Sequence, residues 1–481
     1  MQTVNEEIVK LFQQYNGEAI TAIDKLPQAG SERYYFRIHT AGKTFIATYG
    51  ANLKENESFI YFSKHFKKKN LSVPDVLCIN AAKDIYLQED FGDVSLLNKL
   101  EESGFKTEVY ELYKKSLQQL VLLQVKGHEG LDYKKCLTNS SFGKQAIMAD
   151  LLYFKYYFLD ALRQPYDKQK LIDDFEALSI YLSHTEYKYF MFRDFQSRNI
   201  MVTPDDDVHF IDYQGGMKGA PQYDVASLLW QAKANLPDEW KLHLLDDYMN
   251  AFEKVVEEPI DKDIFRSQYN GYVLIRLLQV LGAYGFRGLF ERKAHFLTSI
   301  PLALQNLKWF VQNQSLGIAV PEFKKVLELC ISDEVIQDFT PVQATDQTPL
   351  LVTINSFSFI KTGYPKDETK NGGGFVFDMR GILNPGRFDE YKHLSGLDKP
   401  VKDFLEQQTK IPDFLNGVYS IVDISVEDYI KRGFEHLAIN FGCTGGQHRS
   451  VYAAEALARH LRNKFKVKIN LMHTNKDNWV R

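Results

Sequence analysis

At 481 residues the chain is longer than one ordinary hydrophobic core, so two or three domains are expected. Its 44% hydrophobic and 25% charged content is that of a soluble globular protein rather than a disordered or fibrous one, and 34 Phe with 27 Tyr imply aromatic cores. A net charge of −4 excludes a global electrostatic argument for nucleic acid or an anionic membrane and leaves only local basic patches.

The opening MQTVNEEIVKLF carries Glu6 and Glu7 in an amphipathic pattern and reads as a helix over residues 4–15, not as a secretory signal. No run approaches the roughly 18 apolar residues of a membrane span. Cys78, Cys136, Cys330 and Cys443 are scattered without metal spacing, which suits reduced thiols in a cytoplasm and argues against zinc. Strands are predicted over 19–25, 34–39 and 44–48 around a turn at 27–32. In that turn Gly30 and Ser31 let backbone amides approach a phosphate, or simply close a hairpin. A helix over 54–68 places Phe59, Phe62 and Phe66 on one face, and strands at 76–79 and 85–88 lead into Gln88-Glu89-Asp90-Phe91-Gly92-Asp93. Residues 107–126 and 141–183 are predicted helical, and the aromatic run at 151–158 is assigned to packing.

The stretch 189–212 carries chemistry. Short apolar runs at 189–192, 199–203 and 208–211 predict a hairpin with Asp194, Asn199 and Asp212 at strand ends. Phosphoryl transfer needs such a set, one aspartate to take the proton of the attacking hydroxyl and an asparagine with a second aspartate to hold Mg²⁺. The alternative is three ordinary turn and cap residues. Gly215 and Gly216 follow, then Asp224 at a predicted helix start, where it serves as an N-cap. The chain is predicted helical from there to about 330, with breaks at Pro237, Pro259 and Pro301. Within it Arg276, Gln279 and Gly282 share one face of an apolar helix, as an internal bracket or as part of a substrate pocket.

On the spacing of Asp194, Asn199 and Asp212 the stretch resembles the catalytic loop and metal aspartate of the aminoglycoside phosphotransferase and choline kinase group, relatives of the protein kinases. The resemblance implies an α+β bilobal protein kinase-like domain over 1–335, with a small lobe at 1–90 and a helical lobe at 91–335. It makes Asp194 the catalytic base and Asn199 and Asp212 the Mg²⁺ ligands, with ATP as co-substrate. Gly30 and Ser31 become a phosphate-covering loop, Gln88 and Asp90 part of the inter-lobe hinge against which adenine lies, and Asp224 a brace of the catalytic loop. Two departures stand out. Phe192 occupies a position where histidine is usual, and the strand Phe45–Tyr49 lacks the expected lysine, so the positive charge falls to Arg33 or Lys54 or is dispensed with, and Glu55 or Glu57 is either its helix partner or part of a solvated acidic first turn. The segment 275–285 resembles the anomeric amino-sugar kinases of this superfamily, which implies an N-acetylmuramate or N-acetylglucosamine acceptor, a place in peptidoglycan recycling, and a substrate role for Arg276 and Gln279.

Residues 336–349 read as a linker. Over 350–481, strands at 350–356, 374–378, 436–440 and 467–472 alternate with helices at 399–408, 411–433 and 450–465, which predicts a smaller α/β domain with a largely parallel sheet. Its loop Cys443-Thr444-Gly445-Gly446-Gln447-His448-Arg449-Ser450 joins a strand to a helix N-terminus, an arrangement that holds phosphate; it is not a Walker loop. Cysteine, five residues and arginine also match the spacing of cysteine phosphatases. The whole loop, with Asp378-Met379-Arg380, Asn384-Pro385 and Ser395-Gly396-Leu397-Asp398, resembles the C-terminal domain of the RNase adapter RapZ. That resemblance implies an amino-sugar phosphate ligand, glucosamine 6-phosphate, held by Thr444, Gly445, Gly446, His448 and Arg449, with Asp378 and Arg380 near the sugar. It carries RNA binding over poorly. The expected whole is a cytoplasmic, ATP- and Mg²⁺-dependent sugar 1-kinase with a metabolite-binding domain; the alternative is a non-catalytic regulator that contacts RNA or a protein.

Overall fold

Alternating apolar positions build the first sheet. In the computed structural model, which describes residues 2–26, 33–367, 369 and 374–480, α1 (Gln2–Tyr15) is followed by β1 (Ala22–Lys25), β2 (Tyr34–His39), β3 (Thr44–Tyr49), α2 (Leu53–Lys67), β4 (Val76–Ile79) and β5 (Ile85–Glu89). The antiparallel order is β1-β2-β3-β5-β4, and Phe36, Ile38, Phe45, Ala47 and Leu87 close on Ile8, Leu11 and Phe12 of α1. The side chain of Asn52 caps α2 by accepting from the amide of Glu55. Phe59, Phe62 and Phe66 are all buried on the inner face of α2, where Phe59 stacks on Tyr213 at 4.9 Å and Phe66 meets Phe190 at 4.8 Å. Helix α2 thereby ties the sheet to the strands that carry Asp194 and Asp212.

The helical part runs through α3 (Leu96–Ser103), α4 (Thr107–His128), α5 (Lys144–Phe154) and α6 (Lys168–Ser183). The single helix expected at 141–183 is two. Helix α5 loosens into a π turn (Lys155–Leu159) and a 3₁₀ turn (Asp160–Leu162), Arg163 turns left-handed at φ 55°, and Pro165 cannot resume the ladder. Phe154 and Phe158 are core residues. Next come β6 (Tyr189–Met191), β7 (Ile200–Val202), β8 (Val208–Phe210), β9 (Met217–Gly219), α7 (Gln222–Leu229), α8 (Asp238–Val256) and α9 (Lys262–Tyr284). The hairpin expected over 189–212 is confined to β7 and β8; β6 pairs instead with β9, because the polar loop between β6 and β7 turns the chain away. By length and composition Lys262–Phe290 meets the test for a membrane span, contrary to the expectation of no such run, but 56% of its apolar window is buried inside the structure.

The chain then passes through a π turn (Gly285–Phe290), α10 (Ala294–Leu297), α11 (Ile300–Asn313), α12 (Pro321–Cys330) and α13 (Asp333–Phe339). The remainder is β10 (Leu351–Ser358), β11 (Phe375–Asp378), α14 (Lys399–Gln408), α15 (Ile411–Arg432), β12 (His436–Cys443), α16 (Arg449–Phe465) and β13 (Lys468–His473). These four strands form a wholly parallel sheet in the order β11-β12-β10-β13. Val352, Ile354, Leu437, Ile439 and Phe441 pack against Leu457 and Leu461 of α16 and Val418 and Val422 of α15. Two compact units result: Met1–Ala283 with Leu302–Ile331, and Tyr284–Pro301 with Ser332–Arg481. The segment Tyr284–Pro301, expected within the kinase-like part, groups with the second unit, where α10 meets α15.

Candidate functional site

The loop that carries Asp194 is built around a fully buried carboxylate. Asp224, in the first turn of α7, accepts from the amides of Phe192 at 2.8 Å and Arg193 at 2.9 Å and from Gln124 Nε2 at 3.0 Å. It is a brace rather than an N-cap, and burial pushes its carboxyl up to about 7. Arg193 is held left-handed at φ 79°, with its guanidinium on Asp150 at 2.8 Å and the Tyr223 hydroxyl at 3.1 Å. Phe192, in the usual histidine position, packs edge-on against Phe195, Phe210 and Tyr213, so apolar contacts replace a polar scaffold.

These braces leave the next residue accessible. Asp194 is 39% exposed; its Oδ1 accepts from Gln196 Nε2 at 2.9 Å and from Arg276 Nη2 at 3.1 Å. Arg276 comes from the apolar face of α9, is 5% exposed, and donates its other Nη to Gln279 Oε1 at 2.6 Å. Gly282, the third member of that face, serves packing, since a Cβ there would lie 2.8 Å from the Tyr153 ring. Asn199 closes the loop by donating from Nδ2 to the carbonyl of Asp194 at 2.9 Å.

Asp212 also lies in the left-handed region, at φ 71°. Its Oδ1 accepts from Gln214 Nε2 at 2.9 Å and from Arg33 Nη2 at 2.6 Å, while Arg33 Nε sits 3.3 Å from Glu55 Oε1 of α2. Tyr213 is buried and shares a 2.5 Å hydrogen bond with Ser63, also of α2. Lys54 is exposed, and Glu57 pairs at the surface with Lys83. Gly30 and Ser31 lie outside the described residues. Near the end of β5, Gln88 is buried and its Oε1 has no partner among the described residues. Asp90 does not face open space: it takes Arg37 at 2.6 and 3.1 Å and the Gly92 amide at 2.9 Å, and so shapes the turn.

Asn199 is buried and Asp212 half-buried, and each side chain carries an oxygen of the hard type that Mg²⁺ takes. Among the described residues no three His, Cys, Asp or Glu side chains form a protein-only metal cage. An Mg²⁺ site of few protein ligands is of this open kind.

In the second unit the loop after β12 lies at the carboxyl end of the parallel strands, where ligands bind in such sheets. Thr444 and Gly445 are exposed; Gly446 is left-handed at φ 62° and donates its amide to Cys443 Sγ at 3.2 Å, as Ser450 Oγ meets the same sulfur at 3.1 Å. His448 is buried with Nε2 on the carbonyl of Tyr391 at 2.9 Å, and burial lowers its pKa. Arg449, expected as a phosphate donor, is 4% exposed and donates to the carbonyls of Arg380 at 3.1 Å and Ile382 at 2.6 Å, although its Nε has no partner among the described residues. Asp378 and Arg380 pair with each other at 2.7 Å, and the Arg380 guanidinium lies over Phe359. Thr444 and Gly445 therefore form the open rim, with Gly446, His448 and Arg449 buried behind it.

Residues 25–259 match the family model described as the phosphotransferase enzyme family, and residues 350–477 match that of the RapZ C-terminal domain. The chain is thus similar to the phosphotransferase enzyme family over its first part and to the RapZ C-terminal domain over its last. The first has the bilobal protein-kinase-like fold, and the second has the expected α/β fold, its sheet wholly parallel. A nucleotide-binding protein of Fervidobacterium nodosum is 32% identical over 196 residues, which is 38% of this chain and 65% of the relative. One from Dinoroseobacter shibae is 39% identical over 116 residues, 24% of this chain and 37% of the relative. The chain thus spans 65% or less of the length of these relatives. Among solved structures, choline kinase LicA from Streptococcus pneumoniae is 14% identical with a TM-score of 0.42 over 64% of this chain and 99% of that one. A choline/ethanolamine kinase family protein from Mesorhizobium loti is 14% identical with a TM-score of 0.43 over 68% and 99%.

Sequence reasoning did not find Gln124, Asp150 or Gln214, each of which positions the phosphotransferase loop or its aspartates. Asp150 carried a signal, an acid inside the apolar run Ile147–Leu152. Gln124 and Gln214 carried none.

Proposed function

We propose that the phosphotransferase domain moves the terminal phosphoryl group of ATP to the anomeric hydroxyl of an amino sugar of the N-acetylmuramate or N-acetylglucosamine type, and that the RapZ-type domain binds a related amino-sugar phosphate. The observation that carries the reading is the bond of Asp194 to Arg276, which itself holds Gln279, on the apolar stretch of α9 after Gly271. Buried polar groups on such a face need partners, and the open side of this pair suits a polyhydroxylated acceptor. The acceptor hydroxyl gives its proton to Asp194 while its oxygen takes the phosphoryl group and the bond to ADP breaks. An anomeric hydroxyl is the most acidic of a sugar, which suits a carboxylate base. Asn199 and Asp212 would hold Mg²⁺, which when bound neutralises phosphate charge. The Oε1 of Gln88, without a partner among the described residues, would supply an acceptor for a donor such as the adenine amino group.

The test is incubation of the full chain with ATP, Mg²⁺ and a sugar panel, read by phosphorus NMR. A sugar 1-phosphate and ADP are expected, with Asp194→Asn slowing turnover by about a thousandfold and leaving nucleotide binding in place. A second reading, a non-catalytic regulator that contacts RNA or a protein, is favoured by the lysine-free strand β3. It takes over if nucleotide binds and no sugar is phosphorylated.

A further inference from the structure

A nucleotide-transferring site of this fold needs a small-lobe cation on the phosphates, held by a glutamate of the neighbouring helix. Strand β3, Thr44–Tyr49, has none. Thr48 is fully buried on β3, opposite Tyr86 of β5 and Tyr35 of β2, with its hydroxyl lacking a partner among the described residues. The guanidinium of Arg33, which arrives from the residue before β2, lies over the Tyr35 ring at 5.5 Å. The route is open because the next strand end is Gly50: a Cβ there would lie 3.2 Å from Arg33 Cγ and 2.5 Å from Asn56 Oδ1. The guanidinium reaches Glu55 of α2 and Asp212 together. Lys54 is exposed on the other side of α2, where it lines a surface cavity of about 510 Å³ with Lys64, Lys83 and Lys134.

We propose that Arg33 is the phosphate-directed cation of this site, displaced from the third strand to the start of the second, and that its contact with Asp212 guards the metal carboxylate until nucleotide arrives. The proposal rests on the kinase reading and deepens it. Glu55 keeps the guanidinium aimed while its Nη2 passes from Asp212 to a phosphate oxygen. A planar guanidinium suits the exchange because it engages carboxylate and phosphate with the same fork. Divalent metal alone then binds poorly, since Arg33 competes for Asp212, and metal with nucleotide binds well.

The test uses the full chain as wild type, Arg33→Ala, Arg33→Lys and Arg33→Ala with Thr48→Lys, each checked for folding by its melting temperature. The readouts are binding of a non-hydrolysable ATP analogue with Mg²⁺, binding of Mn²⁺ alone by electron paramagnetic resonance, and turnover. Arg33→Ala is expected to bind the analogue at least about tenfold more weakly, to bind Mn²⁺ alone more tightly than wild type, and to lose about a hundredfold in kcat/KM. Lysine at 48, projecting from β3, is expected to restore at least about tenfold of the analogue affinity. Unchanged analogue affinity in Arg33→Ala, or no recovery in the double variant while Arg33→Lys retains binding, overturns the proposal and leaves the kinase reading standing. A wild-type chain that binds no nucleotide overturns both.

Discussion

Asp224 sets two opposed demands at one side chain. Ionised, it accepts the amides of Phe192 and Arg193 and so fixes the backbone that presents Asp194; buried, it is pushed up to about 7. A carboxyl whose folded pKa lies above its unfolded value near 4 contributes stability that is fully present below about 4 and is lost as pH rises through about 7, with a slope of at most about 1.4 kcal/mol per pH unit. Catalysis runs the other way, because protonation removes an acceptor from an amide. Urea unfolding of wild type and Asp224→Asn between pH 4 and 8 is therefore expected to show the wild-type advantage shrinking as pH rises, while wild-type turnover climbs through about pH 7. A pH-independent difference in stability would exclude this account. At this scale the sequence was informative where the chemistry is local: Asp194, Asn199 and Asp212 fall within one short stretch, and their spacing was legible. Arg33 to Asp212 spans 179 residues and Arg276 to Asp194 spans 82, so those pairings were not. Arg276 and Gln279 were visible only as polar interruptions of an apolar face, and Arg33 only as one of two candidate cations.

Elements bounded by turn chemistry were read closely, as with β2, β4 and α14, whose ends carry Gly, Pro, Asn or Asp nearby. The break between α5 and α6 was not, because a π turn has no sequence signature and only Pro165 marks it. Strand pairing was the weaker part of the reading, since apolar alternation identifies a strand and says nothing of its partner; hence β6 joins β9 rather than β7. The β12 to α16 connection shows how far one element end depends on a glycine. A Cβ at Gly446 would lie 2.9 Å from Ser358 Cβ and 3.0 Å from Ser358 N, on a backbone already at φ 62°. Gly446→Ala is expected to destabilise the second unit by roughly 1–3 kcal/mol and to displace the amide that Cys443 Sγ receives. On the proposal that this unit binds an amino-sugar phosphate, calorimetric titration with glucosamine 6-phosphate should then show the full-length variant binding more weakly than the wild type. Wild-type affinity in a destabilised variant would show that the loop is not where that ligand sits.

At the scale of the molecule the sequence implied two domains in series with a cut at 336–349, whereas the second unit is assembled from two separated stretches. The chain leaves the phosphotransferase unit after Ala283, contributes Tyr284–Pro301 to the second unit, returns for Leu302–Ile331, and only then enters the RapZ-type domain for good. Such an excursion has no local sequence signal, because α9 and the turns after it read as one apolar helical run. It has a consequence for any attempt to separate the activities. A chain ended at residue 340 keeps Tyr284–Pro301 but loses α15, which α10 meets. That truncation is expected to melt a few degrees below the corresponding transition of the full chain, in line with a loss of roughly 1–3 kcal/mol in a unit of this size. It is also expected to bind a hydrophobic dye and to be cut by protease within 284–301. A truncated chain that melts unchanged and resists cleavage there would mean that the excursion is held by the phosphotransferase unit itself. On the proposed kinase reading, in which Arg276 and Gln279 face the acceptor, the same truncation is expected to raise KM for the acceptor more than for ATP, because both residues lie on α9 shortly before the excursion begins. Equal changes in both constants would place the excursion's effect on the whole fold rather than on the acceptor side.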